Sequence, residues 1–267
     1  MSANRPPAVA GSFYPADPKR LSLDLLHFLE EAKPARLIPK ALIVPHAGYM
    51  YSGAIAASAY AVLRPIAARI RRVVLLGPTH RVAVRGLALP AATTFSTPLG
   101  EVRLDTDAMR ELARLPQIVV SDEVHAQEHS LEVQLPFLQT VLQDFTLLPL
   151  AVGDASTEEV ATVLEEVWGG PETLIVISSD LSHYLPAEVS HLIDRETADE
   201  ILRLRPVPSH QQACGATPIN GLLAAARNHH LHPHLLDLRN SGDTAGPHDS
   251  VVGYAAFAFT EETNHGH

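Results

Sequence analysis

The chain has a single cysteine among 267 residues. That excludes an intramolecular disulfide and leaves Cys214 to serve as thiol, thiolate or metal ligand. It has no positive excess to offer a polyanion. Its formal charge is −10 and its pI near 5.8, which points away from nucleic acid and anionic membranes as partners. No apolar run reaches membrane-spanning length, and Met1-Ser2-Ala3-Asn4-Arg5-Pro6-Pro7 lacks the apolar stretch of a signal peptide, so a cytoplasmic protein is expected. Gly-x-Gly-x-x-Gly, Walker and His-Glu-x-x-His patterns are all missing, which removes the usual signatures of dinucleotide, ATP and short-motif zinc binding. There is no repeat and no linker, and the 21 prolines are spread along the chain as loop punctuation. One domain is expected over 1–267, with a core over 5–259 and a flexible tail over 260–267 that carries His265 and His267.

What is present is an ordinary globular composition, 46% apolar and 19% charged, arranged as short apolar runs alternating with helical stripes. Strands are expected over 41–45, 73–76, 87–89, 118–120, 147–152, 174–177, 235–238 and 251–259. Helices are expected after Asp17-Pro18, then over 52–68, 105–115, 130–142, 188–204 and from Cys214 to about Arg227, with a further one opened by capping-box spacing at Ser156 and Glu159. Before the first helix, residues 6–18 read as an irregular arm that Phe13 and Tyr14 pin to the body. The alternation implies an α/β domain with a mostly parallel or mixed central sheet and helices on both faces.

Three strand ends deliver reactive side chains. Pro45 ends the run 41–45, because proline cannot donate to a sheet ladder, and His46 stands just past it. His80 follows the next strand after Gly77-Pro78-Thr79, and Asp180 with His183 follows the run 174–177. If these strands are parallel, all three ends share one crevice at the carboxyl edge of the sheet, where α/β folds bind ligands. Cys214 precedes a glycine and a helix start, where unpaired N–H groups favour a thiolate and a lowered pKa; a buried structural cysteine is the alternative reading. Two imidazoles and one anionic ligand with open positions suit ferrous iron or another transition metal, and a thiolate in the anionic place widens the choice to copper or zinc.

Asp180 and His183, three apart, would share a helical first turn, with His183 able to move protons near neutral pH and Asp180 either a pocket carboxylate or an N-cap. His129 and Glu132 form a second such pair, suited to supporting a ligand or touching substrate, and Tyr49 and Tyr51 are pocket walls or core. His229, His230, His232 and His234 read as an exposed polar loop. A metal-free hydrolase with Cys214 as nucleophile and His183 as base is an alternative use of the same groups.

Ala10-Gly11-Ser12-Phe13-Tyr14-Pro15, Pro45-His46-Ala47-Gly48-Tyr49, Gly77-Pro78-Thr79-His80, Glu128-His129-Ser130-Leu131-Glu132, Ser178-Ser179-Asp180-Leu181-Ser182-His183, Cys214-Gly215 and Val251-Val252-Gly253-Tyr254-Ala255 together resemble the Memo family. That family is named for the human mediator of ErbB2-driven cell motility, and its prokaryotic members are called AmmeMemoRadiSam system protein B. The resemblance runs from about residue 5 to 259 and implies a fold like that of class III (LigB-type) extradiol dioxygenases. By resemblance, His46, His80 and Cys214 form the metal set, with Fe(II) first and copper or zinc as alternatives. His183 takes the place of the dioxygenase acid/base histidine, and Asp180 lines the same pocket. The dioxygenases have a carboxylate where this chain has Cys214. The resemblance also implies a small-molecule or peptide substrate, and AMMECR1-like and radical-SAM proteins as partners in a shared pathway. Two kinds of function follow: an iron-dependent oxidoreductase, or a protein that uses the crevice to hold a peptide or phosphopeptide or to handle iron or copper.

Overall fold

Apolar runs too short for helices form the strands of a nine-stranded mixed sheet in the computed structural model, which describes residues 3–261. In chain order, β1 (Asn4–Arg5) precedes α1 (Pro18–Glu31), β2 (Pro39–Val44), α2 (Tyr49–Tyr60) and β3 (Arg72–Pro78). There follow β4 (Leu87–Leu89), β5 (Thr94–Thr97), β6 (Gly100–Arg103), α3 (Thr106–Leu112), β7 (Ile118–Val120), α4 (Asp122–Ala126) and α5 (Leu135–Val141). The chain continues through β8 (Thr146–Val152), α6 (Thr157–Glu166), β9 (Thr173–Ser178) and β10 (His183–Leu185). It ends with α7 (Ala187–Leu202), α8 (Ala216–Asn228), β11 (His232–Asn240) and β12 (Val251–Thr260).

The order β10-β12-β2-β9-β3-β8-β4-β7 places four parallel strands, β2, β9, β3 and β8, at the centre. β2 and β9 are buried along their whole length, which requires cover on both faces. α6 and α8 pack on each other, with α8 against β3 and β9, while α1, α2 and α5 form a second group with α2 on β2 and β12. β12 runs antiparallel to β2 on one side and to β11 and β10 on the other. A small separate sheet joins β1, β5 and β6. Among the described residues, no helix is long and apolar enough to cross a membrane.

Register decides where the strand ends fall. Val44 pairs with Ser178, Leu76 with Ile177, and Pro78 with Val152, so the carboxyl ends of all four central strands lie along one edge. The loop that follows α4 reaches this edge because of Gly77. A Cβ there would sit 2.8 Å from Ser130 Oγ, closer than side chains pack.

Several local expectations change. The helix expected over 52–68 begins at Tyr49 and passes after Tyr60 into a 3-10 stretch, Ala61–Arg69, that contains Pro65, which lacks the N–H an α-helix needs. The helix expected over 130–142 opens with a 3-10 turn, Glu132–Gln134, before α5. His183 begins strand β10, where it pairs with Val252 of β12, and shares no helical turn with Asp180; Pro186 biases Leu185 towards extended backbone and caps α7. His232 and His234 belong to β11, whose ladder with β12 pairs His232 with Thr260 and His234 with Ala258. Thr260 thus ends a strand, whereas the rest of the expected tail from 262, with His265 and His267, lies outside the described residues. Ser156 and Glu159 do form a reciprocal capping box at the start of α6.

Candidate metal centre

His46, two residues past β2, is 2% exposed. Its ring is oriented by a hydrogen-bond chain whose donors can be assigned. Ser178 Oγ lies 2.6 Å from the Ser130 carbonyl, which can only accept, so the serine proton is spent there. Gln134 Nε2 donates to the same Oγ at 2.8 Å and to the Pro45 carbonyl at 2.9 Å, while Tyr60 donates its hydroxyl to Gln134 Oε1. Ser178 Oγ can therefore only accept from His46 Nδ1, 2.8 Å away. This places the imidazole proton on Nδ1 and leaves the Nε2 lone pair facing outward.

His80 is set in the same way by a carboxylate. Glu128 accepts the ring Nδ1–H at 2.9 Å through one oxygen and the backbone N–H of His80 through the other. Burial is the largest influence on Glu128 and pushes its pKa up. The His80 ring and the N–H groups of Ser130 and His80 outweigh it and hold the carboxyl down at about 2. An ionised carboxylate can only accept, so His80 also presents Nε2.

His129 completes the cluster. Its ring stacks on His80 with centroids 4.6 Å apart, and His46 stands edge-on to both at 5.2 and 5.4 Å. Phe13 from the arm backs His129 at 4.8 Å. One nitrogen from each of the three rings lies within 4.8 Å of the others. Burial, the main cause in both cases, lowers His46 to about 3 and His129 to about 4, so these rings are neutral with lone pairs available. Three imidazoles, two with Nδ1 tied off, fit a first-row transition-metal ion.

Around this cluster opens a crevice of about 520 Å³. Asp180, 4% exposed, lines it and accepts the His46 backbone N–H at 2.7 Å, and its other oxygen lies 4.0 Å from His46 Nε2. Burial raises the Asp180 pKa, against the pull of that N–H and of the nearby histidines. His183, half-buried, lines the same crevice beside Tyr184, whose ring centroid is 5.7 Å away. Phe13, Tyr51 and Tyr254 supply aromatic wall.

Other expected residues are placed elsewhere. Cys214 Sγ lies 3.4 Å from His46 Nε2, but the thiol adjoins a different cavity and is outside the three-nitrogen set. Its pKa is not lowered as its position before α8 suggested; burial, then the Asp180 carboxylate, push the thiol up to about 12. Glu132 is fully buried and serves the arm, binding the Arg5 guanidinium, the N–H groups of Ala8 and Val9 and the Tyr14 hydroxyl. Tyr49 is core, with its hydroxyl donated to the Val133 carbonyl and its ring 5.1 Å from Phe137. Sequence reasoning missed Glu128, Ser178 and Gln134. Glu128 had a visible signal in its place beside His129, and Ser178 in ending a buried strand. Gln134 had none.

The chain matches the Memo-like protein family over residues 5–258. It is 36% identical over 281 residues to a MEMO1 family protein of Sulfolobus acidocaldarius, with 96% of this chain and 99% of that one covered. It is also 36% identical over 272 residues to a MEMO1 family protein of Aquifex aeolicus, with 96% and 98% covered. Among solved structures it is similar to an uncharacterized protein from Escherichia coli K12, with TM-score 0.45, 12% identity, and 82% of this chain and 98% of that one covered.

Proposed function

The chain belongs to the Memo family, and on that premise we propose that it is a metal-dependent oxidoreductase, iron first, with a dioxygenase-like site for a small molecule. The observation that carries the reading is the convergence of His46, His80 and His129, with Nδ1 of His46 held by Ser178 and Nδ1 of His80 by Glu128. The metal would supply Lewis-acid and redox chemistry. The chain's own groups then have separate tasks. His46, His80 and His129 hold the ion, and Cys214 adjoins His46 as the thiol that the family resemblance assigns to the metal. His183 faces the same crevice and can accept or return a proton from a bound molecule. Phe13, Tyr51 and Tyr254 exclude water from a planar ligand and orient it.

A binding role for phosphopeptides draws less support. Among the described residues, the crevice lining includes no lysine or arginine, the side chains that recognise phosphate by charge.

The test is anaerobic titration of metal-stripped protein with Fe(II), Cu(I) and Zn(II), followed by oxygen uptake with a panel of phenols. One tight equivalent of Fe(II), weakened roughly a hundredfold in His80→Ala and His129→Ala, is the expected result. With Co(II) in the site, a sulfur-to-metal absorption band lost in Cys214→Ser would add the thiolate to the ligand set. Absence of any tight metal binding would overturn the proposal, and tight binding without oxygen uptake would leave metal handling as the role.

A further inference from the structure

The crevice is not the only opening onto the histidine cluster. A second cavity of about 430 Å³ lies against the loop that follows β3 and the end of β8, and Cys214 and His210 adjoin it. His80 lines both spaces, whereas Cys214 lines only this one. Its Sγ is 3.4 Å from His46 Nε2, so a molecule resting against the thiol is one side chain away from the nitrogens that converge in front.

The walls indicate what the cavity admits. Val82, Val84 and Val152 supply its apolar wall, Thr79, His80 and His210 its polar one, and the charged side chains that adjoin it, Arg81 and Asp154, are exposed. Among the described residues, no other Lys, Arg, Asp or Glu lines the cavity, so a charged ligand moving past them to the thiol would shed water without a buried counter-ion from those side chains. His210 hangs over the thiol end, its Nδ1 donating to the Cys214 carbonyl at 3.1 Å and its Nε2 lying 3.2 Å from Thr217 Oγ1.

We infer that the cluster has two entrances: the crevice for an organic ligand, and this second cavity for an uncharged molecule of a few heavy atoms that reaches Cys214 and the rear of His80. The use of the second entrance as a co-substrate route rests on the metal-site proposal. The access itself rests on the cavity alone. A centre open on two sides can hold two different molecules at once without either leaving.

Because Cys214 is the one cysteine in the chain, its labelling reads access without ambiguity. The probe is methyl methanethiosulfonate, which adds a methylthio group to the thiol and releases methanesulfinate. Mass gain is followed at one fixed pH, on the full-length protein as purified and after chelation. Val84→Trp fills the second cavity, Ala83→Trp obstructs it from an exposed position that tolerates substitution, and Ser250→Trp obstructs the crevice. Both cavity variants are expected to slow labelling roughly tenfold while Ser250→Trp stays within about twofold of the parent. Slowing by Ser250→Trp alone, or equal rates in all four proteins, would overturn the inference. Because labelling is also read on chelated protein, a failure of metal binding would sink the functional proposal and leave this result standing.

Discussion

Glu128 holds His80 twice, by the ring Nδ1–H at 2.9 Å and by the residue's own backbone N–H. The two bonds fix both the rotation of the imidazole and the position of its backbone. Replacing this carboxylate with a neutral amide removes the charge that makes His80 a stronger donor. Glu128→Gln is therefore expected to weaken metal binding by about 10- to 100-fold, read by competition with a chromophoric chelator. An unchanged affinity would mean that the carboxylate has no share in the site.

Arg5 and Glu132 form a buried ion pair, 6% and 0% exposed, that ties the amino-terminal arm to the loop below it. Arg5 also donates to the carbonyls of His125 and Glu128. Arg5→Met would strand the Glu132 carboxylate without its cation, a change that typically costs about 3–5 kcal/mol. The arm carries Phe13 against His129, so metal affinity should fall together with the urea midpoint. A loss of stability under about 1 kcal/mol would show that the arm is held by other contacts.

Acid should destabilise the metal-free protein. His46, His125 and His129 are lowered by burial to about 3, 4 and 4, so each is neutral when folded. The unfolded chain takes up protons at the ordinary histidine value of about 6.5 and binds more of them than the folded chain below that pH. Stability is thus complete above about pH 6.5 and declines as pH falls towards 4, by at most about 1.4 kcal/mol per pH unit for each histidine. Glu128, held down at about 2, adds a further loss below its ordinary range. Urea melts at pH 7 and pH 5 test this, and equal midpoints would refute it.

Tyr184 is strained and exposed at the crevice mouth, with φ 59° and 77% of its surface open. The left-handed conformation costs a non-glycine residue about 1–2 kcal/mol, and this ring gains little burial in return. Tyr184→Gly is expected to raise stability by about 1 kcal/mol while weakening whatever ligand the crevice holds. Thermal melts measure the first effect and ligand titration the second. A less stable variant would mean that the tyrosine ring packs more tightly than its exposure indicates.

By itself the sequence determined the strand-and-helix alternation, the burial of the central strands and the placement of His46 and His80 just past two of them. These are local matters. Apolar runs of strand length, the proline that ends the run before His46 and the capping pair Ser156 and Glu159 act over a few residues, and the chain alone shows them. Tertiary structure decided which side chains meet. The order β2-β9-β3 brings Ser178 under His46, and Gly77 lets the 128–131 segment close on β3, so that Glu128 grips His80 and His129 enters the ligand set. The same packing turned Glu132 and Tyr49 into the core and set Cys214 beside a second cavity, where burial reversed the expected shift of its thiol. Those outcomes depend on residues far apart in sequence and on the loss of water around them, which no local pattern records.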